Sequence, residues 1–179
     1  NNCVWMLNRD LEFTKSFDSY LVNESLVNFS ACEGCWVAED KIYIANTGAA
    51  NIVVLDVSTS ETLQIIEAPT SSEWSSDVVF EPIKLSTDRG GRVYCISRNQ
   101  TQGIVQFSKE GKFIGYLGAL DVDPSLWDIF IRNFGTKKMK DDSLQMIPTE
   151  FTNLICNSDG MVFAITETVS DSDIKGSVT

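Results

Sequence analysis

Apolar residues along this chain fall in short runs separated by polar turns. Lys41 to Val57, KIYIANTGAANIVVLDV, sets the pattern. Tyr43 and Ile44 lie in one run, Ile52 to Leu55 lie in the next, and Asn46-Thr47-Gly48 supplies a turn between them. Glycine tolerates positive φ at such a turn, and asparagine can bond its own backbone. The pattern predicts two strands. A lone hairpin is marginal in water, so this one must pack against something.

The hairpin recurs. EGCWVAEDKIYIANTGAANIVVLDVSTSETLQII and IKLSTDRGGRVYCISRNQTQGIVQFSKEGKFIGYLG share one order of elements. An apolar strand is followed by a polar turn, at Glu39-Asp40 and at Asp88-Arg89-Gly90-Gly91. A strand centred on an aromatic comes next, Tyr43 and then Tyr94. After a polar loop come a third strand (Ile52–Leu55, Ile104–Phe107), a turn and a fourth (Leu63–Ile66, Phe113–Leu117). FTNLICNSDGMVFAITE begins a third copy, with Asn157-Ser158-Asp159-Gly160 as its turn and Phe163 as its aromatic. The opening NNCVWMLNRDLEFTKSF matches only a back half, Asn2–Leu7 and Phe13–Phe17.

Four short antiparallel strands about every 50 residues point to a β-propeller more than to a sandwich. Each blade has two faces to cover and its neighbours cover them, so Tyr43, Tyr94 and Phe163 are expected between blades. The predicted fold is all-β, an arc of about three four-stranded blades belonging to a six-bladed propeller. Residues 1–20 would be the second half of a blade, 29–68 and 80–118 two blades, and 148–179 the first part of another. A six-bladed ring needs roughly 240–300 residues, so the remainder of a longer chain or a second copy, as a homodimer, would close it.

Residues 119–147 break the β pattern. Asp123-Pro124 can open a helix, Leu126, Trp127, Phe130, Ile131 and Phe134 follow at helical spacing, and Gly135 can end it. This helical insertion is expected to cap one face of the propeller through Trp127 and Phe130. The alternative is a lid or partner-docking element.

Composition narrows the function. Hydrophobic residues make up 43%, enough for a real core. Fourteen basic residues against 25 acidic ones give a net charge of −11. That argues against nucleic acid and anionic membrane surfaces as partners. No run approaches the roughly 20 apolar residues of a membrane-spanning helix. The five cysteines are odd in number and irregular in spacing. Cys32-Glu33-Gly34-Cys35 has no second pair, and no histidine exists to complete a zinc site. Free thiols are expected. The lack of histidine also excludes Ser–His and Cys–His catalysis. Asn23, Asn28 and Asn99 each open an Asn-x-Ser/Thr triplet, which would be coincidental in a bacterial protein.

KIYIANTGAANIVVLD, GRVYCISRNQTQGIVQFSKEGKFIGYLG and SDGMVFAITE resemble NHL repeats, and the wider class of six-bladed propellers that includes lactonase-like proteins. GIVQFSKEGKFIGYLGA with IPTEFTNL is also similar to bacterial cell-envelope NHL-type proteins. The resemblance covers most of the chain outside about 119–147. It departs at Asn46, where the family often has Asp, at Ala50, where it often has Asn, and at Asn51, where an arginine is common. It implies an extracytoplasmic place at the cell envelope and a binding or scaffold module for a protein or carbohydrate ligand, with no catalytic residue and no cofactor assigned. One alternative is a Ca²⁺-dependent lactonase-like hydrolase. Another is a purely architectural repeat in a larger assembly.

A calcium-type site would need only oxygen ligands converging near the propeller axis. Glu33, Asn46, Glu81, Glu150 and Asn153 are the candidates, for this or any other ligand. Glu33 and Glu81 precede the first strands of successive repeats, and Glu150–Asn153 occupies the related place in the third. First strands line a propeller's channel, so these residues are expected to ring one mouth of it. The plain alternative is a solvated polar residue at each blade entrance, without a metal.

Overall fold

A computed structural model describes residues 2–71, 74, 78–118, 151–157 and 159–166. Among them the chain is all-β, with one short 3-10 turn at Thr47–Ala49. The first strands are β1 (Val4–Leu7), β2 (Phe13–Phe17), β3 (Ser19–Val22) and β4 (Ser25–Asn28). β5 (Cys32–Ala38), β6 (Lys41–Asn46), β7 (Asn51–Asp56) and β8 (Thr62–Ile66) form one antiparallel meander. β9 (Pro82–Thr87), β10 (Val93–Ser97), β11 (Ile104–Phe107) and β12 (Phe113–Leu117) form a second. β13 (Phe151–Cys156) pairs with β14 (Val162–Thr166), β1 with β2, and β3 with β4. Both four-stranded sheets lie where the sequence pattern predicts them. The β3–β4 hairpin is not among the predicted elements. The helical insertion, with Trp127 and Phe130, lies outside the described residues.

Side-chain alternation turns these sheets into a stack. On the first meander Tyr43, Ala45, Ile52, Val54 and Ile66 face the second, where Leu85, Val93, Cys95, Val105 and Phe107 meet them. Trp74 and Phe80, from the connection between the two sheets, fill the same layer. The opposite face of the first meander, Ile42, Ile44, Val53 and Leu55, is covered by Phe17, Tyr20 and Phe29 from the β1–β4 region. The opposite face of the second, Tyr94, Ile96 and Ile104, is covered by Leu154 and Cys156 of β13. Both central sheets are thus buried on two faces. This is why β6, β7, β10 and β11 read as nearly continuous apolar runs rather than strict alternation.

Tyr43 and Tyr94 lie between sheets as expected. Phe163 does not: it is 53% exposed. Residues two apart in a strand share a face, and Phe163 lies on the outer face of β14 with Ile165, while Val162 packs inward against the stack. No described sheet covers that outer face.

The first strands of successive sheets adjoin, β5 beside β9 and β9 beside β13. Gly34 makes the first approach possible. A Cβ there would collide with the backbone carbonyl of Ile83. Polar clasps fasten the layers. The Thr47 hydroxyl donates to the Pro82 carbonyl at 2.6 Å, the Trp36 indole to the Thr87 hydroxyl at 3.1 Å, and the Cys156 amide to the Ser86 hydroxyl at 2.8 Å.

Candidate functional site

The adjoining first strands leave a groove of about 710 Å³. β5 lines it with Cys32 to Trp36, β9 with Lys84 and Leu85, and the β13–β14 hairpin with Asn153–Ile155, Phe163 and Ile165. Cys3 and Val4 close one side. The strand pleat explains the choice of side chains. On β9 and β13 the pleat turns Leu85 and Leu154 into the stacked layers and Lys84, Asn153 and Ile155 to the other face, and the groove reaches residues of both faces.

Glu33 lies in this groove. Its carboxylate accepts from the Arg98 guanidinium at 2.5 Å, linking β5 to the loop after β10. Glu81 stands just ahead of β9. Its amide donates to the Ser97 hydroxyl at 3.0 Å and its carbonyl accepts the Arg98 amide at 2.8 Å. Arg98 therefore sits between the two acids, and the Glu33 hydrogen bond and charge, then the Glu81 charge, raise its pKa further. Asn153 is exposed in the groove, with its side-chain oxygen turned to the Leu154 amide at 2.9 Å. Glu33 and Asn153 are thus brought to one surface. Glu150 lies outside the described residues.

Asn46 is elsewhere. It is fully buried, its oxygen accepting from the Ser30 amide at 2.7 Å. Its amide donates to Asn51 Oδ1 at 2.9 Å and to the Tyr20 hydroxyl at 3.3 Å. This network ties the 3-10 turn to the β3–β4 layer and leaves Asn46 facing no groove.

Two of the oxygen donors considered for a calcium ion, Asn46 and Glu33, already have protein partners. One oxygen donor is committed to the interior and another to an arginine. Among the described residues no three acidic, thiol or imidazole side chains are grouped to hold a metal. The Cys32 and Cys35 thiols are protonated at neutral pH. Burial, and then the nearby Cys3 and Cys35, pushes Cys32 up to about 11. Burial also raises Cys35, with the Lys84 charge pulling it back. Thiols in that state are weak nucleophiles.

Sequence reasoning passed over Arg98 and Lys84, and placed Phe163 in a core. A charged residue inside the apolar PIKLS run was the available signal for Lys84. Arg98 pairs with a residue 65 positions away, which no local pattern reports.

No protein-family model matches the chain, and no curated protein matches it. Among solved structures, Kuenenia stuttgartiensis hydrazine synthase is similar over 95% of this chain, with 13% identity and a TM-score of 0.54. This chain spans 37% of the length of that one. At such identity the likeness is one of fold alone.

Proposed function

We propose that the chain is an arc of an NHL-type β-propeller acting as a non-catalytic binding module, whose ligand is an extended segment of a partner protein. The observation that carries the reading is the groove over β5, β9 and β13. In a propeller the first strands of successive blades adjoin and the blades stack face to face; the contacts of β5 with β9 and of β9 with β13, and the apolar layers between the sheets, support this reading. The groove is mixed in chemistry. Ile155, Phe163 and Ile165 are each more than half exposed in it, beside Lys84, Asn153 and the Glu33–Arg98 pair. Exposed aliphatic groups next to fixed charges suit a peptide, with its apolar and charged side chains. A carbohydrate would call for more stacking aromatics and more free hydrogen-bonding groups. In the six-bladed ring of this reading, a further sheet from a second copy or from further chain would lie next to the end layers. A place at the cell envelope belongs to the same proposal.

Panning a phage-displayed random peptide library against the chain tests it. Peptides are expected to enrich and to lose binding to Phe163→Ser and Lys84→Glu variants. Enrichment untouched by either substitution, or binding only on a glycan array, would overturn the peptide reading. Millimolar calcium is expected to leave Tm unchanged. A rise in Tm that Glu33→Gln abolishes would favour the lactonase-like alternative instead.

A further inference from the structure

A second cavity, of about 810 Å³, opens between the two four-stranded sheets, at the end where the β5–β6, β9–β10 and β11–β12 turns meet. Three cations line it: Lys41 at the start of β6, Arg89 in the β9–β10 turn and Lys109 in the β11–β12 turn. The chain as a whole has 14 basic and 25 acidic residues. Three cations on one cavity therefore run against its overall charge.

Among the described residues the ion pairs are Arg92–Asp88 and Arg98–Glu33, and none reaches Lys41, Arg89 or Lys109. Two carboxylates line the same cavity, Glu39 and Asp88. Asp88 is already taken. Its side chain is 4% exposed and accepts from Arg92 Nε at 2.6 Å, the Arg92 amide at 3.0 Å and the Tyr94 hydroxyl at 3.2 Å. Of the lining carboxylates Glu39 remains to offset the three cations, and outside the lining the Glu110 charge lies beside Lys109.

The β9–β10 turn lets Lys109 come close. Gly91 has φ +85°, and a Cβ on it would lie 3.1 Å from Lys109 Cγ, so the bare glycine lets the lysine stem lie along the turn. The other wall is apolar, formed by half-buried Trp36 and by Tyr43, Val54 and Leu63. The Trp36 indole N–H is spent on Thr87, so its ring offers contact area rather than a donor.

We infer that this cavity binds a small phosphomonoester, its dianionic phosphate between Lys41, Arg89 and Lys109 and its organic body on Trp36 and Leu63. A dianion matches the excess of cations, since charge-assisted hydrogen bonds to phosphate are strong and directional. The cavity shares Trp36 with the groove but none of the groove's charged residues. The inference therefore stands apart from the peptide reading.

The test is calorimetric titration of the full chain with phenyl phosphate. Saturable one-to-one binding is expected, weakened about tenfold or more in each of Lys41→Gln, Arg89→Gln and Lys109→Gln. Inorganic phosphate, which leaves the apolar wall unused, should bind more weakly than the ester, and phenol should not bind. The Gly90 and Gly91 amides and the Trp36 indole should shift in the NMR spectrum on titration. Phe163→Ser, in the groove, should change none of this. Vesicles carrying phosphatidic acid report whether the same phosphomonoester is presented by a lipid, and co-sedimentation lost in the triple Gln variant would support that source. No saturable binding, or binding that follows ionic strength and ignores the three substitutions, overturns the proposal. Unchanged Tm in the variants confirms that loss of binding is not loss of fold.

Discussion

At the scale of single residues, buried polar groups carry the sharpest consequences. Asn46 satisfies the Ser30 amide, the Tyr20 hydroxyl and Asn51 at once, inside the protein. Replacing it with alanine strands those partners away from water, which costs about 1–3 kcal/mol. Asn46→Ala should lower the urea midpoint with an unchanged slope, and an unchanged midpoint would show that the network contributes nothing. Asp88 adds a pH dependence. Burial pushes its carboxyl up, but hydrogen bonds from Arg92 and Tyr94 and the Arg92 charge outweigh that and hold it below the ordinary 3.8. A depressed carboxylate stabilises the fold above its ordinary pKa, and the benefit is lost as pH falls through the lower folded value. The acid limb of the stability curve should therefore flatten in Asp88→Asn. An unaltered acid limb would assign acid unfolding to other carboxylates, such as Asp56, which hydrogen bonds from Ser58 and Thr59 hold at about 2.

At the scale of elements, strand positions were legible where turn chemistry was conventional. The boundaries read for β11 and β12 are the observed ones, and those for β7 and β8 differ by a residue. The β3–β4 hairpin escaped because its two-residue turn is Asn23-Glu24, both at positive φ, 48° and 66°. Such turns are usually marked by Asn-Gly, and a glutamate in that place carries no signal. What joins sheet to sheet was less visible. Gly34 sits in a C-x-x-C whose cysteines draw attention, yet the glycine is the residue the packing requires. Gly34→Ala should cost about 1–3 kcal/mol by forcing β5 and β9 apart. Equal stability of this variant and the parent in denaturant titration would mean that the two strands separate freely.

At the scale of the whole molecule, each described sheet depends on its neighbours. The central meanders are buried on both faces, whereas the outer layers leave Trp5, Phe13, Ile155 and Ile165 largely exposed. Stability in such a stack is a sum over adjacent layers, lowest at its ends. Amide exchange should therefore be slowest in β6, β7, β10 and β11 and fastest in β1 and β14. Uniform protection from β1 to β14 would show instead that the layers open as one unit, or that another sheet covers the ends.

The sequence by itself determined the strands other than β3 and β4, the two four-stranded units and the absence of histidine chemistry. These rest on period, turn residues and composition, all local or countable. Tertiary structure alone decided which side chains share a surface. Asn46 went inward because β3 presents the Tyr20 hydroxyl and the segment after β4 presents the Ser30 amide to it. Glu33 met Arg98 because β5 lies against β9. Lys41 from the start of β6 and Arg89 and Lys109 from two separate turns came to one cavity. Contacts between residues tens of positions apart depend on how the sheets stack, and no periodicity within a strand encodes that.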